Sequence, residues 1–194
     1  MTRRFTVFIT ITILTLILPV FVGDLSASGI SYSQPSYYSF SGFDNKLYAH
    51  TEPYSAIPEG HILHFEYKSF LPIGIESYKV YISEANTEEE KSYIEINFID
   101  VLYRFKYQNL NLFGGIGYGN IEYKCKISAC KPYSFKKGTA TQLFFQVGIP
   151  FTENFDFHLS AHRISGSNEV SIGEKDENIN LGGSMAAFGI LIKW

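Results

Sequence analysis

The chain has 194 residues, enough for one domain, and carries a formal net charge of −3. Aromatic residues make up 16% of it and charged residues 18%, a composition that excludes a disordered protein. The small net charge and the lack of a basic, aromatic-containing module exclude nucleic acid as a partner.

Residues 1–27 are predicted to be a secretory signal peptide. Arg3 and Arg4 precede a charge-free apolar run over 5–22, and small residues follow from Gly23. A basic start, an apolar centre and a small-residue end are typical of a cleaved export signal, with cleavage expected within 23–29. The alternative is an uncleaved membrane anchor, because the apolar run is just long enough to span a bilayer. The mature domain is expected over 28–194.

Alternation of apolar and polar residues predicts eight strands in the mature domain. In 138–152, for example, Leu143, Phe145 and Val147 share one face, and Gln142 and Gln146 share the other. The predicted strands lie near 30–43, 61–70, 74–85, 93–107, 110–125, 138–152, 155–169 and 179–194.

The connectors between these strands alternate in length. The short ones are 71–73, 108–109 and 153–154, and the long, polar ones are 44–60, 86–92, 126–137 and 171–180. Short turns at one end and long loops at the other are typical of an outer-membrane barrel. The prediction is an all-β fold, an eight-stranded antiparallel up-and-down transmembrane β-barrel, which must close because lipid cannot satisfy an open edge.

One predicted strand departs from the simple pattern. Over 93–107 the apolar set changes from Ile94, Ile96 and Phe98 to Ile99 and Val101. Such a change of face predicts a β-bulge near 98–99 or a shift of register.

Polar side chains on the faces opposite the apolar stripes are predicted to fill a narrow lumen. In an eight-stranded barrel such groups are expected to pair with one another as structural filling, with no metal and no cofactor. Gly115, Gly117 and Gly119 share one inward face and would leave room for long side chains on the opposite wall. The alternative role of the lumen is a narrow small-solute pore. The predicted lumen network is His64, Glu66, Lys68, Lys79, Glu95, Arg104, Asp156 and His158.

The loop after the fifth predicted strand combines two cysteines with a run of lysines. Cys125 and Cys130 are the only cysteines, and an exported chain is expected to join such a close pair as a disulfide. Five lysines surround them without an intervening acid: Lys124, Lys126, Lys131, Lys136 and Lys137. This basic patch is either solvated surface or a contact for lipopolysaccharide phosphates or an acidic host glycan.

The mature chain from Gly29 to Trp194 resembles the small eight-stranded bacterial outer-membrane barrels of the OmpX/Ail and OmpA-transmembrane-domain type. The resemblance rests on the export signal, the alternating strands, the glycine-rich "LFGGIGYGNIEY" at 112–123 and the terminal "FGILIKW". It implies an outer-membrane location and a monomer surrounded by lipid and lipopolysaccharide. It also implies an assembly signal for the barrel-assembly machinery in the last strand, at Phe188, Ile190, Ile192 and Trp194, with tryptophan where phenylalanine is usual.

A second resemblance concerns catalysis. Outer-membrane lipid A deacylases are similar in carrying a His-x-Ser pair on a late strand, and His158, Ser160 and His162 lie on one strand face here. In those enzymes the pair works on the lipid-facing side and a carboxylate lies on the last strand. This sequence turns the pair inward and has no carboxylate between Leu181 and Trp194. The expected role is therefore structural or surface-interacting, in adhesion or envelope integrity and without catalysis; lipid A modification and a narrow pore are the alternatives.

Overall fold

A computed structural model confirms the predicted fold, a closed antiparallel barrel of eight strands. It describes residues 28–41, 55–56, 58–67, 72–81, 92–126, 133–172 and 175–194. The predicted signal peptide lies outside these ranges, as do Lys68, Cys130 and Lys131. No helix within the described ranges is long and apolar enough to cross a membrane.

Eleven strand segments form the eight barrel strands. The segments are β1 (Gly29–Phe40), β2 (Ser55–Ala56), β3 (Pro58–Glu66), β4 (Ile73–Tyr81), β5 (Tyr93–Tyr107), β6 (Leu110–Lys124), β7 (Tyr133–Phe135), β8 (Gly138–Pro150), β9 (Phe155–Ile172), β10 (Lys175–Asn180) and β11 (Gly183–Lys193). Three of the barrel strands consist of two segments each. β2 and β3 form one strand beside β1, and β7 and β8 form one strand beside β9. β10 and β11 form the third, on the other side of β9.

The barrel closes between its first and last strands. β11 pairs antiparallel with β1, with Ile190 opposite Tyr32 and Lys193 opposite Gly29. Every wall strand thus has two neighbours in the order β1, β3, β4, β5, β6, β8, β9 and β11. Gly29 and Lys193 lie at the same end of the barrel as the short β5–β6 turn, which is the periplasmic end in barrels of this type.

The predicted bulge near 98–99 is wrong. β5 pairs without interruption with β4 from Tyr93 to Val101 and with β6 along its whole length. The apolar residues change faces along one continuous strand. A register shift does occur in β1, between Pro35 and Tyr37.

The change of face divides the barrel into two halves, which are clearest along β5. In the membrane half, which contains the short turns, outward residues are apolar and exposed, as at Ile99 and Val101, and inward residues include Asp100. In the extracellular half, Glu95 and Asn97 point outward while Ile94, Ile96 and Phe98 are buried inside. The extracellular half has the ordinary pattern of a water-exposed barrel, and the membrane half has the inverse.

Apolar side chains fill the extracellular half of the lumen and form what we call the apolar plug. Full burial of a large apolar side chain stabilises a fold by roughly 1.5–3 kcal/mol, so the plug is a main contribution to the stability of this half. Tyr38 adds a polar tie, because its hydroxyl donates a hydrogen bond of 3.0 Å to the Leu181 carbonyl. The plug comprises Tyr38, Ile62, Tyr78, Val80, Ile94, Ile96, Phe98, Ile121, Tyr123, Ala140, Ile164, Val170, Ile179, Leu181, Met185 and Ala187.

Candidate functional site

Two ion pairs cross the lumen near its periplasmic end. The Arg104 guanidinium lies 2.5 Å from a Glu66 carboxylate oxygen, and the Lys193 ammonium lies 2.5 Å from Asp156. Asn111 donates a further hydrogen bond to Asp156, also at 2.5 Å. The structure thus places Glu66, Arg104 and Asp156 in the lumen and adds Lys193, whose inward position follows from its alternation with Trp194.

A second polar group, the central polar cluster, lies between these ion pairs and the apolar plug. It consists of His64 (β3), Glu76 (β4), Asp100 (β5), Gln142 (β8) and His162 (β9), and all five side chains are buried. The Gln142 amide donates a hydrogen bond of 2.7 Å to Asp100, and its oxygen lies 3.2 Å from Nδ1 of His162. The same Nδ1 lies 3.4 Å from Glu76.

Aromatic stacking fixes the two histidines of the central polar cluster. The rings of His64 and His162 both stack on Phe144, with centroid distances of 5.5 and 5.1 Å and interplanar angles of 21° and 17°. Two glycines leave the space that Asp100 and Phe144 occupy. A Cβ on Gly117 would lie 2.1 Å from an Asp100 oxygen, and a Cβ on Gly115 would lie 2.3 Å from Phe144.

Sequence analysis missed Glu76, Asp100 and Gln142 as one group, and it placed two residues on the wrong face. Lys79 and Glu95 lie opposite each other on the outer face of the extracellular half, with the Lys79 ammonium 4.9 Å from the Tyr93 ring centroid. The prediction that they point into the lumen is wrong, because it took the apolar stripe as lipid-facing along the whole strand. Lys68 lies outside the described residues.

The candidate catalytic residues all point into the lumen. His158 Nε2 lies 2.6 Å from the Ser33 hydroxyl, and Ser160 Oγ lies 2.9 Å from Nε2 of His162. Ser160, His162 and Glu76 thus form a chain of contacts from a serine through a histidine to a carboxylate. Ser160 is only 7% exposed, and it faces away from the lipid.

The basic patch is partly neutralised by acids from other positions of the fold. Lys124 pairs with Glu122, and Lys136 pairs with Glu169 and lies 3.8 Å from Asp176. The hydrogen bond with Glu169 raises the pKa of Lys136. Lys126 and Lys137 are exposed and form no salt bridge with any described residue. The disulfide between Cys125 and Cys130 stays a prediction, because Cys130 lies outside the described residues.

Two features of the outer face complete the geometry. Phe188, Ile190, Ile192 and Trp194 point outward and are between 37% and 69% exposed, within a belt of similarly exposed apolar residues on the other strands. A groove of about 840 Å³ also lies against the wall formed by β5, β6, β8, β9 and β11. Its lining is mostly apolar, with Gly114 leaving open space and Arg163 and Ser184 among its polar members.

A closed eight-stranded sheet, an outward apolar belt in one half and a filled polar lumen define an outer-membrane type of β-barrel. Solved structures of this class resemble the chain. Among them are the outer membrane protein OprG from Pseudomonas aeruginosa, with 8% identity over 89% of this chain and 98% of that one and a TM-score of 0.60. Neisserial surface protein A is similar, with 10% identity over 87% and 97% of the two chains and a TM-score of 0.58.

The N-terminal barrel domain of Pseudomonas aeruginosa OprF is a further similar structure. It shares 13% identity over 87% of this chain and 98% of that one, with a TM-score of 0.52. No protein-family model and no curated protein matches the sequence. At these identities the likeness establishes the fold, an eight-stranded outer-membrane β-barrel.

Proposed function

We propose that this protein acts as a monomeric, non-catalytic barrel of the bacterial outer membrane. Its extracellular strands and loops meet lipopolysaccharide or an environmental or host surface ligand. The observation that supports this proposal is the water-exposed pattern of the extracellular half, which is polar outside and apolar inside. Such a half is stable in water, so it serves as a rigid platform for the loops above it.

The apolar plug favours a surface role over a pore. Its side chains occupy the extracellular half of the lumen, and a hydrophobic constriction resists hydration. Planar bilayers containing the purified protein are expected to stay silent under applied voltage. Steady single-channel steps from the wild type, absent from protein-free bilayers, would replace this proposal with the pore.

The groove on the membrane half supports contact with lipopolysaccharide. Apolar side chains such as Leu143 and Phe145 suit an acyl chain, and the guanidinium of Arg163 suits a phosphate. Replacing Arg163 with glutamine is expected to reduce the lipopolysaccharide that copurifies in mild detergent. Lys79→Gln is the matched control, since Lys79 is an outward cation away from the groove. An equal loss in both variants would contradict a specific contact.

Two lysines of the basic patch, Lys126 and Lys137, pair with no carboxylate in the described ranges and supply a second contact. Neutralising Lys126 and Lys137 is expected to weaken binding to lipopolysaccharide or an acidic glycan at low salt, because exposed charges attract anions and salt screens them. Neutralising Lys124 and Lys136 is the control, since carboxylates already pair with both. A greater loss in the control pair would point to those two lysines instead.

The inward position of Ser160 and His158 argues against lipid A hydrolysis. A lipid ester at the outer face cannot reach a buried hydroxyl in the lumen. Mass spectrometry of lipid A is expected to give the same profile for wild type, Ser160→Ala and a deletion strain. A species present only in cells with the wild-type protein would establish the enzyme.

A further inference from the structure

The central polar cluster holds two buried carboxylates that have histidines beside them but no arginine or lysine partner among the described residues. Glu76 and Asp100 are both 0% exposed. Among the described lumen residues, the arginine and lysine salt bridges go to Glu66 and Asp156. Buried carboxylates are stable when they are paired with a cation, coordinate a metal or are neutralised by a proton.

Unpaired atoms converge at the same place. Both ring nitrogens of His64, both carboxylate oxygens of Glu76 and Oδ2 of Asp100 are buried and make no hydrogen bond. One ligand atom from each of these three residues lies within 4.8 Å of the others. Tetrahedral coordination at about 2.1 Å places ligand atoms about 3.4 Å apart, so modest side-chain rotations would close the site.

Neighbouring groups already orient the candidate ligands. The Gln142 amide holds Oδ1 of Asp100 and leaves Oδ2 free to bind, while Ser160 lies 2.9 Å from Nε2 of His162. Nδ1 of His162 lies 3.4 Å from Glu76 and 3.2 Å from the Gln142 oxygen, so coordination through Nδ1 would replace its hydrogen bond to that oxygen. Hydrogen bonds to the far side of a ligand are the usual support of a metal site.

We propose that His64, Glu76, Asp100 and His162 bind one divalent transition-metal ion in the lumen. Two imidazoles and two carboxylates suit zinc and its first-row neighbours, whereas calcium and magnesium prefer all-oxygen sites. The ion balances the two carboxylates and ties β3, β4 and β5 to β9 across the barrel. This site is independent of the proposed surface role, which would stand without it.

The test uses untagged protein extracted from outer membranes in detergent and stripped with a chelator. Wild type is expected to bind one equivalent of Co²⁺ with visible d–d absorption, and Zn²⁺ is expected to displace it. Asp100→Asn and Glu76→Gln are each expected to lower the affinity at least about 10-fold. Asp156→Asn is the matched control, because that buried carboxylate lies in the periplasmic ion-pair group.

A second measurement on wild type does not depend on the folding of variants. With ¹⁵N-labelled histidine, Zn²⁺ is expected to shift the ring nitrogens of His64 and His162 and to leave those of His158 unchanged. Absence of Co²⁺ absorption and of ring shifts would overturn the proposal and leave a proton-sharing carboxylate network. Equal affinity in wild type and both carboxylate variants would overturn it as well.

Discussion

At the scale of single residues, Gly60 combines a positive φ with a lack of space for a side chain. Its φ of 151° disfavours a side chain, and a Cβ would lie 2.2 Å from the Ser77 carbonyl oxygen. Gly60→Ala is therefore expected to lower the free energy of unfolding by about 1–3 kcal/mol, measured by urea titration in lipid vesicles. Gly114→Ala is the control, since its Cβ would meet nothing within 4 Å. Equal losses in both variants would refute this account.

The Glu66–Arg104 pair permits a second test at this scale. Removing one charge by Glu66→Gln leaves Arg104 buried without its carboxylate, which is expected to cost about 3–5 kcal/mol of unfolding free energy. Replacing both residues with methionine is expected to cost less than Glu66→Met or Arg104→Met alone, because no buried charge is left without a partner. Additive losses in this double-mutant cycle would show that the two side chains act independently.

At the scale of elements, the β9–β10 hairpin depends on a carboxylate in the extracellular half. The Ser171 hydroxyl donates a hydrogen bond of 2.6 Å to Asp176 and, with Lys136 nearby, lowers the pKa of that carboxyl. A carboxyl with a lower pKa in the folded state stabilises the hairpin above its unfolded pKa, and this contribution disappears as the pH falls through the folded pKa.

Amide exchange along β10 measures this effect. Relative to Asp176→Asn, wild type is expected to be better protected at about pH 6 and equal once the pH lies below the folded pKa of Asp176, where the carboxyl is protonated. A wild-type advantage that persists at the lower pH would show that charge is not the cause.

Alternation in the sequence predicts some features of the strands and leaves others open. The eight strands and the outward stripe at Phe188 to Trp194 follow from period-two alternation within each strand. The closing pair β1–β11 follows from the rule that lipid cannot satisfy an open sheet edge. Lys79 and Glu95 could not be placed this way, because alternation gives two faces without saying which faces the lumen. That choice depends on whether lipid or water lies outside, and this solvent changes halfway along β5.

The central polar cluster was beyond sequence analysis for a related reason. His64, Glu76, Asp100 and His162 come from four strands, and their meeting depends on the shear of the closed barrel. Glycine positions gave a partial signal: Gly115 and Gly117 do leave room for Phe144 and Asp100. Which side chains would occupy that room is decided by three-dimensional packing.

At the scale of the whole molecule, the solvent boundary should be measurable along a single strand. Leu143 and Thr139 are both exposed on the outer face of β8, four positions apart, in the membrane and extracellular halves respectively. A lysine facing the bilayer core costs about 2–4 kcal/mol, so Leu143→Lys is expected to lose that much unfolding free energy in vesicles. Thr139→Lys meets water and is expected to stay within about 0.5 kcal/mol of wild type. Equal losses at the two positions would place both in the same solvent, and the inverted pattern of β5 would then need a cause other than the membrane boundary.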